Sequence, residues 1–234
     1  VDRWLHGLKP ARSPRYFANP QFFTDLNIVS AYWLGFILAD GNILQNKNGI
    51  RIRLQVSDAD HLRNLCRDIG YYDCVQIVPK TGFSDYHASA VICCRPLVRQ
   101  LETMGWQEFK RRGDTRILNV PRDLERYLLR GLFDGDGGLS FRKTRFVSTN
   151  AALSFHDLHE NVVSWFKNRL VSLLGVNNSK VYQPNASYSV AWNGNQQVLK
   201  ILRFLYGGSG PFLQRKYDKF QLIGISNSNW ERRV

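Results

Sequence analysis

Two aspartates, Asp40 in WLGFILADG (33–41) and Asp136 in LRGLFDGDG (129–137), are where chemistry can be read from this sequence. Each closes a hydrophobic helical stretch. Asp136 follows Asp40 by about 96 residues, with Gly, Asp and Gly in register. A carboxylate in the last turn of a helix faces the negative end of the helix dipole, which disfavours it. Two such carboxylates brought together also repel each other. A divalent cation relieves both problems, and oxygen ligands with positions left for water and a phosphate oxygen suit Mg²⁺. The pattern points to metal-assisted phosphodiester hydrolysis, in which the metal activates water and stabilises the leaving oxygen. One Asp-Gly pair alone does no more than end a helix. Two copies in register, with small residues at matching places, argue for a site.

What must position these acids is a pair of helices. Glycine inside a helix costs roughly 0.5–1 kcal/mol relative to alanine. Even so, Gly35 with Ala39 and Gly131 with Gly135 recur four residues apart, on one helical face. A stripe of small residues lets two helix backbones approach more closely than ordinary side chains allow. Packed along these stripes, the helices end side by side and deliver Asp40 and Asp136 to one place. The backbone carbonyls of Ala39 and Gly135 are further candidate metal ligands there. Gly41 and Gly137 are expected to cap the two helices in the left-handed conformation.

Similar elements follow each motif. In the first half, 43–46 and 49–57 read as a hairpin, and 58–70 as a helix stopped by Gly70. Strands follow at 74–79 and 86–93, then a helix across 95–104. In the second half, 139–143 and 145–155 are strand-like, and 156–175 is an amphipathic helix ending at Gly175. Strands near 179–183 and 187–193 lead to a helix at 196–208. Both halves therefore read α-β-β-α-β-β-α, an α+β fold. A basic N-terminal arm occupies 1–27, the first repeat 28–113 with a linker at about 105–120, and the second repeat 121–223. That last segment includes a helix over 214–223, and 224–234 is left as a tail.

Composition selects the partner. The 234 residues are 44% hydrophobic and 22% charged, enough to bury a core. Lys and Arg number 32 against 19 Asp and Glu, a net charge of +13 that calls for a polyanion: nucleic acid or an anionic membrane surface. No apolar run approaches the roughly 18 residues of a spanning helix, and no segment has signal-peptide architecture. Cys66, Cys74, Cys93 and Cys94 show no C-x-x-C spacing and read as reduced core residues in an intracellular, reducing compartment. His156 and His159 could share a helix face, but no other ligands complete a zinc set. A first residue of Val, with neither Cys nor Ser as nucleophile, is expected for a trimmed chain rather than a complete self-splicing intein.

With these residues in view, the chain resembles the single-chain, two-repeat LAGLIDADG homing endonucleases. WLGFILADG and LRGLFDGDG are similar to two copies of the family motif, and the resemblance covers about 28–223. It implies two αββαββα repeats related by a pseudo-twofold axis, with antiparallel sheets forming a saddle over DNA and motif helices packed at the repeat interface. It also implies a monomer that cuts both strands of a long, nearly palindromic site and leaves short 3′ overhangs. The metal ligands it implies are Asp40 and Asp136. The cofactor would be Mg²⁺, with Mn²⁺ able to substitute and Ca²⁺ binding without supporting cleavage. Asp134 lies about 200° round the helix from Asp136 and maps to no ligand; the first copy carries Leu38 there. Gln55 sits where such enzymes carry a polar residue beside the active site, with Ser154 aligned opposite it in the second half. Lys216 in GPFLQRKYDKF matches the family's basic residue near the scissile phosphates, and Lys110 or Arg111 is its first-half equivalent. Such a lysine stabilises phosphorane charge or positions water.

Base-reading residues follow from strand alternation. GIRIRLQVSD places Ile50, Ile52, Leu54 and Val56 on one face and Arg51, Arg53 and Gln55 on the other. Guanidinium and amide groups pair with guanine and adenine edges, although a merely solvated face would alternate in the same way. The same alternation nominates His87, Ser89, Arg142, Lys180, Tyr182, Ser189 and Asn193. The segments KRRGDTR (110–116) and RKTR (142–145) are assigned to phosphates. In the arm, Arg3, Lys9, Arg12 and Arg15 extend the contact surface, or Phe17, Phe22 and Phe23 make it packed scaffold. The competing function is a catalytically silent nucleic-acid-binding protein of the same fold, a group I intron maturase or a transcription regulator. A purely structural module leaves both the charge and the paired acids without a purpose.

Overall fold

In the computed structural model, which describes residues 18–71, 74–82, 85–143 and 149–231 (side chains at 142, 143, 149, 150 and 224–231 excepted), the first helix begins at a capping box. The Asn27 side chain accepts from the Val29 and Ser30 amides at 2.8 and 3.1 Å, and Ser30 Oγ accepts from the Asn27 amide at 2.8 Å. Helix α1 (Ile28–Asp40) is buried from Ser30 to Leu38. A helix apolar on every side belongs at the centre of a molecule. Its partner there is α5 (Glu125–Asp136), buried from Leu128 to Asp134. The elements between them are β1 (Gly41–Leu44), β2 (Gly49–Gln55), α2 (Ala59–Ile69), β3 (Val75–Val78), β4 (His87–Cys93), α3 (Arg95–Thr103) and α4 (Trp106–Arg112). After α5 come β5 (Gly137–Lys143), β6 (Thr149–Asp157), α6 (Glu160–Leu174), β7 (Tyr188–Asn193), α7 (Asn195–Tyr206) and α8 (Gln214–Glu231).

Each half is an antiparallel sheet with helices on its apolar face. The first sheet has the order β1-β2-β4-β3, the second β5-β6-β7. In β2 the alternation holds at Ile50 and Ile52, which are buried, and at Arg53, which is exposed. Leu62, Leu65, Cys66 and Ile69 line the inner face of α2 at helical spacing. Complete burial of each large aliphatic side chain contributes roughly 1.5–3 kcal/mol. In the second half α6 and α7 cover the sheet, with Phe166 stacked on Phe155 at 4.0 Å between ring centroids.

The structure corrects several expectations. Gly41 (φ −81°, ψ 153°) and Gly137 (φ −85°, ψ 149°) are extended, not left-handed, because each motif helix runs straight into a strand. Glycine is needed there for space: a Cβ would lie 2.4 Å from the carbonyl oxygen of Ile37 in one case and of Phe133 in the other. Helix α6 starts at Glu160 rather than 156, since His156 and Asp157 still pair with Ser189 and Tyr188 of β7. His156 and His159 therefore share no helix face. The strand expected near 179–183 reduces to one bridge, Tyr182 to Ser189, between the turn-forming stretches NNS and QPNAS. The linker at 105–120 contains α4, and the last helix continues to Glu231 through part of the supposed tail. Cys66 and Cys74, expected to be reduced, converge from α2 and the β3 approach and are joined as a disulfide; Cys93 and Cys94 are free. Phe22 and Phe23 are buried, so this end of the arm is packed scaffold, while Arg3, Lys9, Arg12, Arg15 and Phe17 lie outside the described residues.

Candidate active site

The paired acids are set by backbone contact between α1 and α5. A Cβ on Gly35 would lie 2.2 Å from the Leu128 carbonyl oxygen, and one on Gly131 would lie 2.0 Å from that of Tyr32. Farther along, a Cβ on Gly135 would meet Ala39 Cβ at 2.3 Å and Asp40 Oδ2 at 3.3 Å. The two helices thus touch at Gly35, Ala39, Gly131 and Gly135, and Asp40 and Asp136 emerge together. Burial raises the pKa of Asp40, against the pull of Lys216, Lys110 and Arg215. Asp136 is pushed up to about 7 by burial, reinforced by the charges of Asp40 and Asp157. Among the described residues no group of three or more His, Cys, Asp and Glu side chains is placed to hold a metal ion.

Of the nominated lysines Lys216 is buried and Lys110 half-buried, and both close the ends of the motif helices. Lys216, 2% exposed, donates from Nζ to the carbonyls of Phe133 (2.5 Å), Asp134 (2.8 Å) and Gly137 (2.5 Å). A last turn leaves carbonyls without helical partners, and an ammonium there complements the dipole. Burial lowers the Lys216 pKa to about 8. Lys110, carried by α4, donates to the Ala39 carbonyl at 3.1 Å, so that candidate metal ligand is engaged by an ammonium here. Burial also lowers the Lys110 pKa, opposed by Asp136, Asp157 and Asp40.

Around this shared centre the two halves differ. On one side Gln55 Nε2 donates to Asp58 Oδ2 at 3.0 Å, and Arg215 Nε donates to the same oxygen at 2.8 Å. On the other side a cleft of about 280 Å³ opens beside Asp136, bounded by Lys110, His156, Asp157, His159 and Ser187. Strand register corrects the alignment of Gln55 with Ser154. Gly41 pairs with Ile52 and Gly137 with Phe155, so counting from these glycines sets Arg51 against Ser154 and Arg53 against His156. Gln55 then corresponds to the exposed Leu158.

Sequence reasoning passed over the residues that hold this centre together. Asp134, 1% exposed, accepts from Tyr32 OH (2.8 Å), Tyr206 OH (2.5 Å) and the Leu213 amide (2.8 Å). Arg130, fully buried, donates to the carbonyls of Leu205, Gly208, Ser209 and Pro211. Together they fix the turn that leads into α8 and so place Arg215 and Lys216. His61, beside Tyr32 OH at 2.9 Å, is held neutral, its pKa lowered to about 3 by burial. Two charged residues inside a hydrophobic motif were the available signal, because buried charges need partners.

The nominated base readers divide. Cross-strand pairing puts Arg51, Arg53, Gln55, Ser89 and His87 on one face of the first sheet. Arg53 and Gln55 are exposed, Arg51 and His87 are half-buried, and Ser89 is covered. In the second sheet Asn193 is exposed at the end of β7, and Tyr182 and Lys180 are exposed beside it. Ser189 is a correction: it is fully buried, and its Oγ lies 3.4 Å from the Tyr182 hydroxyl that overlies it. The Arg142 side chain and part of RKTR lie outside the described residues.

No protein-family model and no curated protein matches the sequence. Solved structures do. The chain is similar to the I-SmaMI LAGLIDADG homing endonuclease bound to cleaved DNA, with 12% identity, 89% of this chain and 91% of that one covered, and a TM-score of 0.55. It is similar to LAGLIDADG homing endonuclease I-GzeII in complex with its DNA target, with 9% identity, coverage of 89% and 92%, and a TM-score of 0.56. LAGLIDADG meganuclease I-AabMI bound to uncleaved DNA gives 12% identity, coverage of 88% and 92%, and a TM-score of 0.56. Likeness at these identities speaks to architecture, and the architecture is unambiguous: two antiparallel sheets carried on two abutting motif helices, the fold of the LAGLIDADG homing endonucleases.

Proposed function

We propose that this protein is a site-specific, monomeric DNA endonuclease that makes a double-strand break with short 3′ overhangs by divalent-metal-dependent hydrolysis. The observation that carries the reading is the convergence of Asp40 and Asp136 where two helices meet along glycine. Structures of the same fold hold cleaved DNA in one case and uncleaved target in the presence of calcium ions in another. The net charge of +13 supplies the attraction to phosphates, and among the described residues no helix is long and apolar enough to cross a membrane.

The residues present suit a divalent cation. Asp40 and Asp136 are two half-buried carboxylates whose ionised forms are disfavoured by loss of water and, at Asp136, also by the charge of Asp40. Both would hold Mg²⁺ or Mn²⁺, with water, phosphate and a carbonyl such as that of Gly135 as further oxygen donors. When bound, such an ion acidifies water and offsets charge on the reacting phosphate. Lys216 and Lys110 fix the ends of the two motif helices and add positive potential. Gln55 orders the Asp40 side through Asp58. Arg51, Arg53, His87, Tyr182, Lys180 and Asn193 offer polar groups to the DNA grooves.

Cleavage of a plasmid library in Mg²⁺, against Ca²⁺ or EDTA, tests this reading beside an Asp40→Asn/Asp136→Asn double variant. The expected result is sequence-specific linearisation that needs Mg²⁺ and is abolished in the variant, which still binds DNA. Tight binding without cleavage under any divalent metal would refute the enzyme and leave a DNA- or RNA-binding protein.

A further inference from the structure

We propose that His159 is a catalytic residue in one half of the site only, accepting the proton of the attacking water beside Asp136. This rests on the nuclease reading and divides its two cuts chemically. Asp157 Oδ1 accepts both the His159 amide at 2.7 Å and the imidazole Nδ1 at 3.1 Å. A carboxylate at Nδ1 keeps the proton there and leaves the lone pair on Nε2, the tautomer of a general base. His159 packs closely on Gly113, which ends the helix carrying Lys110: a Cβ there would lie 2.4 Å from His159 Cβ and 2.9 Å from Cγ. The imidazole borders the 280 Å³ cleft shared by Asp136 and Lys110.

Among the described residues, the aspartate on the Asp40 side is held differently. The residue preceding α2, as His159 precedes α6, is Asp58, and its carboxylate is taken by Gln55 and Arg215. The charged and titratable groups around His159 in the cleft are Asp157 and His156 on β6, Lys110 on α4 and Asp136 on α5. An imidazolium formed there has the Asp157 carboxylate at Nδ1. In the step itself, the water oxygen bonds to phosphorus and its proton passes to His159 Nε2. The P–O bond to the departing sugar oxygen breaks, and that oxygen takes a proton from solvent.

The test follows each strand separately on a linear duplex carrying the identified target, each strand end-labelled, with a supercoiled plasmid carrying the same target beside it to show nicking. His159→Gln should bind the target in Ca²⁺ as the parent does, cut one strand at the parental rate and cut the other at least about 100-fold more slowly, in keeping with general-base catalysis. Nicked circles would accumulate, and added imidazole would restore the second cut in His159→Gly. Equal slowing of both strands, no slowing, or a slowed strand that imidazole leaves unchanged would each overturn the proposal. If His159→Gln fails to bind, Asp157→Asn takes its place with the same strand-resolved readout. A parent protein that cuts no DNA refutes the nuclease itself, whereas a cutting parent with unaffected His159 variants refutes only this inference.

Discussion

Gly131→Ala sets two physical effects against each other at a single methyl group. Helix propensity alone favours alanine by about 1 kcal/mol at an interior position. The structure demands the opposite sign. The added Cβ would lie 2.0 Å from the Tyr32 carbonyl oxygen and 2.7 Å from the Phe36 nitrogen, far inside an ordinary contact of about 3.5 Å. Both neighbours are backbone, so no rotamer change relieves the clash and the helices must part by about 1.5 Å to restore an ordinary contact. Overpacking of this kind costs about 1–3 kcal/mol, and an unyielding backbone puts it at the upper end. After the propensity gain is subtracted, a net loss of about 2 kcal/mol remains, which in a chain of this length lowers Tm by about 4–8 °C. Thermal unfolding followed by circular dichroism reads the shift. Gly82→Ala is the control, because a Cβ there meets nothing within 4 Å. Cleavage should fall more steeply than stability, since a 1 Å displacement of catalytic groups can cost about 100-fold in rate. A Gly131→Ala protein as stable as the parent, or more so, would refute backbone-to-backbone packing of the motif helices.

Other perturbations reach other parts of the argument. Asp134→Ala strips the shared acceptor from two buried tyrosine hydroxyls and the Leu213 amide and should cost about 3–5 kcal/mol in urea titration; a loss below about 1 kcal/mol would show that the network is not structural. His61 has a folded pKa of about 3, below the usual unfolded value of about 6.5, so the unfolded chain takes up the extra proton as pH falls. Its contribution is intact above pH 6.5 and is lost progressively below it, by about 2 kcal/mol at pH 5, and His61→Gln should flatten that part of the stability curve. Arg53→Ala should weaken binding by about 1–3 kcal/mol and relax selection at one base pair. A change confined to the salt dependence would instead make Arg53 a phosphate contact.

The sequence disclosed what repeats and concealed what does not. Gly35 and Gly131 are legible because they are costly in a helix and recur in register, which by itself implies close packing of α1 on α5. The first sheet was legible because GIRIRLQ alternates without interruption. The left-handed caps failed because the habit of glycine after a helix was applied to a helix that turns straight into a strand. The start of α6 was missed for a related reason: HDLHEN has helical periodicity, but Asp157 folds its carboxylate onto the His159 amide and keeps strand and helix apart. Asp134 was set aside because it maps to no ligand, and its three partners come from α1, α7 and the α8 approach, which no local pattern could assemble.

The correspondence between halves is strict only along the line where the halves meet. Gly35 against Gly131, Ala39 against Gly135, and Asp40 against Asp136 are matched because each is packed on, or faces, its counterpart's helix. A change in one is felt by both, so the geometry admits few alternatives there. One step away the constraint relaxes. Leu38 stands opposite Asp134, register sets Arg53 against His156, and Asp58 and His159 each stand immediately before the helix that follows. These positions share backbone placement without sharing a neighbour, so each half can settle its own hydrogen bonds and charge. Two carboxylates held in common, served from one side by an arginine–aspartate pair and from the other by an imidazole–aspartate pair, follow from that geometry. A single-chain repeat permits such division of labour. Two identical subunits would impose the same groups on both sides.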